Sequence, residues 1–139
     1  MSTEREARER DVELFNDSLE RCAAHAGFLH RFYALFLASS GEVAGKFEHT
    51  DFRRQTRLLR TSLYIMMLSG DDPEQRVHLE RLAERHGRNG LDIRPELYDL
   101  WLDCLIRAAA EADPKFDARC AGAWRRLLRP GIEFMKSRY

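Results

Sequence analysis

The chain has 139 residues, 44% of them hydrophobic and 33% charged, and its 23 basic residues balance its 23 acidic ones. That length is typical of one domain, and the balanced charge argues against a surface built to bind nucleic acid or an anionic membrane. No apolar run approaches the roughly 20 residues that span a bilayer, and the charged N-terminus does not resemble a signal peptide.

Two helices are predicted in the first part of the chain. The first follows a polar N-terminus, residues 1–10, which we expect to be flexible or frayed. The second covers about residues 28–38 and is strongly aromatic. Tyr33 falls on its apolar face, so its hydroxyl needs a partner. That partner is either a backbone carbonyl of the core or a ligand in a pocket.

A loosened connection through Ser39, Gly41 and Gly45 leads to a third helix, for which Thr50 and Asp51 are predicted caps. Gln55 and Leu59 share one face of this helix, and a polar residue on an apolar face hints at a pocket. Four arginines lie mostly on the other side and are interpreted as a solvated surface: Arg53, Arg54, Arg57 and Arg60.

The next helix is predicted to begin with Asp72 as cap and Pro73 in its first turn. Its apolar face carries His86, and three residues that tolerate positive φ follow, so the helix should end close after that histidine. These residues are Gly87, Asn89 and Gly90. A lone histidine on an apolar face is either a core residue or a metal ligand.

Two further helices complete the predicted fold. One starts near Pro95, and the last covers about residues 116–135, with Asp113 and Pro114 predicted to cap it. Pro130 should kink or split the last helix. No period-two pattern of β-branched residues indicates a strand, so we predict an all-α fold of about six helices.

The side chains argue against several kinds of site. No short-spaced cluster of zinc ligands, hydrolytic triad or carboxylate pair is apparent. The three cysteines, Cys22, Cys104 and Cys120, form no CxxC pair and are interpreted as buried thiols in a reducing cytoplasm. Haem requires an axial imidazole, an apolar pocket and optional hydrogen-bond donors. His86 could supply the imidazole, and Tyr33 and Gln55 could supply the donors. The apolar pocket could be formed by Phe47, Leu59, Leu82, Ile93 and Trp101.

A family resemblance favours the haem hypothesis. Residues 79–101, LERLAERHGRNGLDIRPELYDLW, resemble the proximal segment of bacterial haemoglobins and of the globin domain of flavohaemoglobins. The similar feature is a helix that ends in the iron-binding histidine, followed by a restart that Ile93, Pro95, Glu96 and Tyr98 match. The separation of Tyr33 from Phe47, and of Gln55 from Leu59, is also similar to the distal side in that family.

The resemblance implies a single globin domain over residues 1–139, with a three-over-three helical fold and non-covalent haem b. His86 would be the proximal iron ligand. Tyr33, Gln55 and Leu59 would form the distal ligand-binding side. The haem-contacting residues would be Phe47, Leu82, Ile93, Tyr98 and Trp101.

The function implied is reversible binding of O2, NO or CO in a cytoplasmic protein. The last helix lacks the glutamate that strengthens the proximal histidine of flavohaemoglobins, which favours ligand binding over oxidative turnover. Two alternatives stay open at this point. One is an enzyme that converts NO and O2 to nitrate with a separate reductase, and the other is a haem-free interaction module. A homodimer is also open.

Overall fold

Seven α-helices make up the computed structural model, which describes residues 3–68 and 72–139. The helices are α1 (Glu4–Ala23), α2 (Phe28–Ser39), α3 (Gly41–Lys46), α4 (Phe52–Leu68), α5 (Pro73–His86), α6 (Glu96–Ala112) and α7 (Ala118–Ser137). The described part of the chain contains no strand, which confirms the all-α prediction. None of the helices found there is long and apolar enough to cross a membrane.

Side-chain caps begin the two helices that form the candidate site. Asp51 precedes α4, and its Oδ1 accepts the main-chain N–H groups of Arg53 and Arg54 at 3.1 and 3.3 Å. Asp72 accepts the N–H of Glu74 at 2.9 Å, with Pro73 in the first turn of α5. Both starts agree with the sequence, because a capping carboxylate satisfies N–H groups that have no partner within the helix.

Two segments in the first third of the chain are helical where no helix is predicted from the sequence. Residues 4–10, predicted to be frayed, belong to α1, while residues 1 and 2 lie outside the described part. The Thr3 hydroxyl caps this helix by accepting the N–H of Glu6 at 3.1 Å. The predicted loose connection contains the short helix α3, whose cap is the Ser40 hydroxyl. Residues 4–10 consist of glutamate, arginine and alanine, which favour a helix, and the Ser40 cap starts α3 despite its two glycines.

Two expectations for the C-terminal third are corrected. Asp113 does not cap the last helix: it follows the end of α6, and Asp117 caps α7 by accepting the N–H of Cys120 at 2.9 Å. Of the two outcomes expected at Pro130, a kink or a split, the split is wrong, because the helix continues through this residue. Pro130 is exposed, so water can replace the hydrogen bond that its ring removes.

The core is built around Trp124 of α7, which is fully buried. Its indole meets the ring of Phe15 in α1 edge to face, with 4.7 Å between centroids, and Phe28 and Phe116 lie 6.4 Å away. Helix α1 packs on α7, α2 packs on α6, and α5 packs on both α4 and α7. Helices α2 and α4 meet where the ring of Tyr33 contacts that of Phe52, and α5 lies against α4.

Four residues, three buried and one partly buried, form a polar group that we call the Asp113 cluster: Ser18, Asp113 and Trp124, with Arg21 at its edge. Asp113 accepts hydrogen bonds from Arg21 Nε at 2.6 Å and from the Ser18 hydroxyl at 2.7 Å. The Trp124 indole N–H donates to Ser18 at 3.1 Å. Burial alone would raise the pKa of Asp113, but the hydrogen bonds, led by that from Arg21, hold this pKa below its usual value.

Candidate functional site

His86 is the last residue of α5, as predicted, and its imidazole is half-buried. The ring Nδ1 lies 2.8 Å from the main-chain carbonyl oxygen of Leu82, one turn earlier. A carbonyl can only accept a hydrogen bond, so Nδ1 must carry the proton. The neutral ring therefore keeps a lone pair on Nε2, the form in which histidine binds a metal ion.

The surroundings of His86 favour this neutral ring. Burial lowers the pKa of its imidazole, and the neighbouring Arg85 lowers it further. The hydrogen bond to Leu82 acts in the opposite direction but does not outweigh burial. The Leu82 carbonyl thus holds the side chain in one tautomer and one orientation, and no carboxylate of the described residues is bonded to it.

Residues 87–95, which we call the 87–95 loop, turn back onto the end of α5. The N–H of Ile93 donates to the His86 carbonyl at 2.9 Å, and the N–H of Leu91 donates to the Arg85 carbonyl at 2.8 Å. Positive φ was expected at Gly87, Asn89 or Gly90, but none of them has it. Within the described residues, Asp92 alone has positive φ, at 52°. Aspartate tolerates this conformation because its short polar side chain can bond locally.

Gly90 is needed for a different reason than its φ angle. A Cβ atom at this position would overlap the Arg85 carbonyl oxygen, which is fixed because it already accepts the Leu91 N–H. The glycine therefore permits a close approach between the loop and the last turn of α5. The loop in turn fixes the main chain of His86.

Long-range contacts hold the 87–95 loop from two sides. On one side, Lys46 Nζ donates to the Leu91 carbonyl at 3.1 Å, and Arg94 forms a two-pronged ion pair with Glu42. On the other side, the Tyr139 hydroxyl donates to Asp92 at 2.6 Å. The proximal segment is therefore connected to both α3 and the end of the chain.

Tyr33 of α2, the predicted distal residue, is buried. Its hydroxyl is 3.5 Å from the main-chain carbonyl oxygen of Gln55, at the long limit for a hydrogen bond. Burial raises the pKa of Tyr33 to about 12, so the hydroxyl stays protonated and can act as a donor. The partner is the core carbonyl that the sequence left open as one of two alternatives.

Aromatic rings surround Tyr33. Its ring meets Phe47 and Phe52 edge to face at centroid distances of 5.7 and 5.2 Å, and Phe47 stacks on Phe52 at 5.9 Å. The expected pair of Tyr33 and Phe47 is therefore in contact. Phe52 was not singled out from the sequence, although a large apolar residue one turn before Gln55 was a usable signal.

The remaining candidate residues divide by burial. Leu59 and Tyr98 are buried, and burial raises the pKa of Tyr98 to about 12. Four large apolar side chains pack against the core yet stay partly exposed: Phe47, Leu82, Ile93 and Trp101. Trp101 touches Phe32, next to Tyr33, with 6.2 Å between centroids. A free imidazole nitrogen together with half-covered apolar side chains is a set of residues that fits haem.

Comparisons with known proteins agree with this fit. The globin family model matches residues 30–132. A crystal structure from Pseudomonas aeruginosa PAO1, of a protein described as structurally highly homologous to a human haemoglobin, is similar with a TM-score of 0.88. The two sequences are 41% identical over 93% of this chain and 98% of the other. No curated protein matches. The similarity confirms the predicted three-over-three globin fold.

Proposed function

Because the chain belongs to the globin family, we propose that it binds non-covalent haem b through Nε2 of His86 and reversibly binds a diatomic gas. The observation that carries this proposal is the bond from His86 Nδ1 to the Leu82 carbonyl at 2.8 Å, which leaves Nε2 as the available ligand atom. Bound haem iron supplies the coordination position that takes up O2, NO or CO.

The apolar side chains would hold the porphyrin. Phe47, Leu82, Ile93 and Trp101 present partly exposed apolar surface that a flat apolar group would cover. Leu59 and Tyr98, already buried, would shape the distal and proximal walls. The water that a bound porphyrin excludes would strengthen each polar contact made beside it.

Tyr33 would be the main polar residue on the distal side. Its hydroxyl is protonated and is held by one long contact to Gln55 of 3.5 Å. Turning it towards a gas ligand therefore gives up little hydrogen-bond energy. Gln55 would assist by orienting Tyr33 or as a second donor.

The partner of His86 supports ligand binding rather than oxidative chemistry. A carboxylate on Nδ1 would increase electron donation from the imidazole to iron and favour cleavage of the O–O bond. Here the partner is the neutral carbonyl of Leu82. Conversion of NO and O2 to nitrate would in addition need electrons from a separate reductase.

We propose that residues 1–139 act as one globin domain, in line with the structural match that covers 93% of the chain. Cys22, Cys104 and Cys120 are free thiols, and two of them are buried. Unpaired thiols are usual in a reducing compartment, which supports the proposed cytoplasmic location.

The test is haem uptake by the full chain. The apoprotein is titrated with haemin, and the ferric, ferrous and CO-bound spectra are recorded for the wild type, His86→Ala and His78→Ala. His78 is the matched control, because it is exposed on the same helix. We expect His86→Ala to lose stable haem, or to regain a five-coordinate spectrum only with added imidazole. His78→Ala should behave like the wild type.

Each result has a defined meaning. A wild-type spectrum in His86→Ala would refute the axial assignment. Failure of the wild type to take up haem would instead favour a haem-free interaction module. Sustained NO consumption by the oxygenated protein with an added reductase would favour the enzyme over the reversible binder.

A further inference from the structure

A groove of about 660 Å³ lies between α2 and the first half of α4. Phe28 and Leu29 at the start of α2 and Leu37 near its end provide the apolar part of the lining, and Arg53 and Arg60 line it from α4. The groove is separate from the proximal histidine, since neither His86 nor the 87–95 loop lines it. Its volume falls in the range of pockets that bind small organic molecules.

Among the described residues, those that line the groove include two arginines and no acidic residue. Besides the two arginines, the ionisable side chains that line it are those of His25, His30 and Tyr33, none of which is a carboxylate. Arg53 and Arg60 are seven positions apart, so both extend from nearly the same side of α4.

The two groove arginines also lack carboxylate partners in the described residues. By contrast, Arg31 is paired with Glu111, Arg94 with Glu42 and Arg126 with Asp11. Two cations without a counter-charge beside an apolar wall are complementary to a molecule with one anionic end and one apolar end.

We propose that this groove binds a small amphipathic organic acid. The carboxylate would bond to Arg53 and Arg60, and the apolar chain would lie along Phe28, Leu29 and Leu37. Exposed Arg54 and Arg57, on the same helix, do not line the groove, so they would have no part in the binding. Part of the arginine-rich surface interpreted from sequence as merely solvated thus becomes a binding site.

The groove is connected to the candidate gas site. Tyr33 and Phe52 line it and also form the aromatic group around Phe47. If the proposed gas-binding function is correct, an acid in the groove would change the preferred orientation of the Tyr33 hydroxyl. The dissociation rate of the bound gas would then change as well. By linkage, the gas would change the affinity for the acid by the same factor. The existence of the groove site does not depend on this coupling.

The first experiment measures binding directly by calorimetry on the full chain. Decanoate is the probe, used below the concentration at which it forms micelles, with decanol and decylammonium as neutral and cationic controls of equal chain length. We expect saturable binding of decanoate, and at least about tenfold weaker binding of both controls, because only the carboxylate makes charge-assisted hydrogen bonds.

Matched variants locate the site. Arg53→Gln with Arg60→Gln should weaken decanoate binding by at least about tenfold, whereas Arg54→Gln with Arg57→Gln should change it less than about twofold. Ala34→Trp fills the groove from α2 without altering its charge, and should also abolish binding. This variant keeps the test decisive if the double arginine variant does not fold.

Several outcomes would overturn the proposal: no decanoate binding, equal binding of decanol, an equal loss in the two arginine pairs, or unchanged binding in Ala34→Trp. The measurement is repeated on haem-free His86→Ala. Decanoate binding there, together with failed haem uptake by the wild type, would refute the gas-binding function and leave the groove site standing. Haem uptake by the wild type without decanoate binding would refute the groove site and leave the proposed haem binding standing.

Discussion

The Asp113 cluster and the candidate haem site use buried polar groups in opposite ways. Both Asp113 oxygens accept hydrogen bonds from Arg21, and Ser18 is bonded to Asp113 and to Trp124. In the candidate haem site, by contrast, His86 uses Nδ1 alone and the Tyr33 hydroxyl has one long contact. The first group is satisfied within the protein, whereas the second keeps bonding capacity for a ligand.

This difference separates a stabilising role from a binding role. A buried polar network stabilises a fold when its members satisfy one another, because each unpaired group is costly to bury. A ligand or metal site needs the reverse, namely a donor or lone pair that the protein orients and leaves available. Substitutions in the Asp113 cluster should therefore change stability, and substitutions in the haem site should change binding.

The largest expected effect is the loss of stability in Asp113→Ala. It leaves the partly buried Arg21 without its counter-charge, and should lower the free energy of unfolding by about 3 kcal/mol. Denaturant titration of the apoprotein measures this. Asp103→Ala breaks the exposed pair with Arg125 and should cost at most about 1 kcal/mol. Equal losses in the two variants would contradict a special role for the cluster.

The Asp113 cluster should also affect how the free energy of unfolding depends on pH. The pKa of Asp113 is lowered in the folded protein, so its stabilisation is complete above the unfolded value of about 3.9 and is lost as pH falls through the lower folded value. The free energy of unfolding should thus fall less steeply below about pH 4 in Asp113→Asn than in the wild type. Parallel profiles would show that another carboxylate controls acid unfolding.

Tyr33→Phe should separate binding from stability on the distal side. Removing a hydrogen bond of about 1.5–3 kcal/mol to the gas ligand should speed O2 dissociation roughly ten- to a hundredfold in stopped-flow measurements. The loss of stability should be small, since the contact to Gln55 is long. Tyr64→Phe, at an exposed position on α4, is the control. An unchanged O2 off-rate in Tyr33→Phe would remove Tyr33 from the distal site.

A smaller effect is expected at Gly90, which shapes the proximal side. Gly90→Ala forces the loop away from the Arg85 carbonyl and should destabilise the protein by about 1–2 kcal/mol, within the usual range for local backbone strain. Haem dissociation should also become faster, because the main chain of His86 is held by this loop. Gly45→Ala meets no atom within 4 Å inside α3 and should be neutral or slightly stabilising. If Gly90→Ala lost haem as slowly as the wild type, the 87–95 loop would not control how His86 holds the haem.

Local sequence signals predicted much of the fold and part of the site. Apolar periodicity gave the all-α class, and caps such as Asp72 gave helix starts. Periodicity also placed His86 at a helix end. The role of Asp113 was missed because an aspartate before a proline looks like a cap, while its partner Arg21 is 92 residues away.

The unpredicted features depend on how separate segments meet. Four arginines on α4 look alike in the sequence, and only the position of α2 distinguishes Arg53 and Arg60 as groove residues. Likewise, nothing local indicates that Lys46 bonds to the carbonyl of Leu91 or that positive φ falls on Asp92. Such features follow from tertiary packing, which local propensity does not encode.

The contact between the first and last helices has a consequence for folding kinetics. Ser18 and Trp124 are 106 residues apart, and Phe15 buries its ring on the same indole. Closing so large a loop is entropically costly before any contact compensates for it. During synthesis α1 emerges early but obtains its main apolar partner only when α7 has been made. We therefore expect this core to be completed late in folding, which would give low φ-values at Phe15 and Trp124.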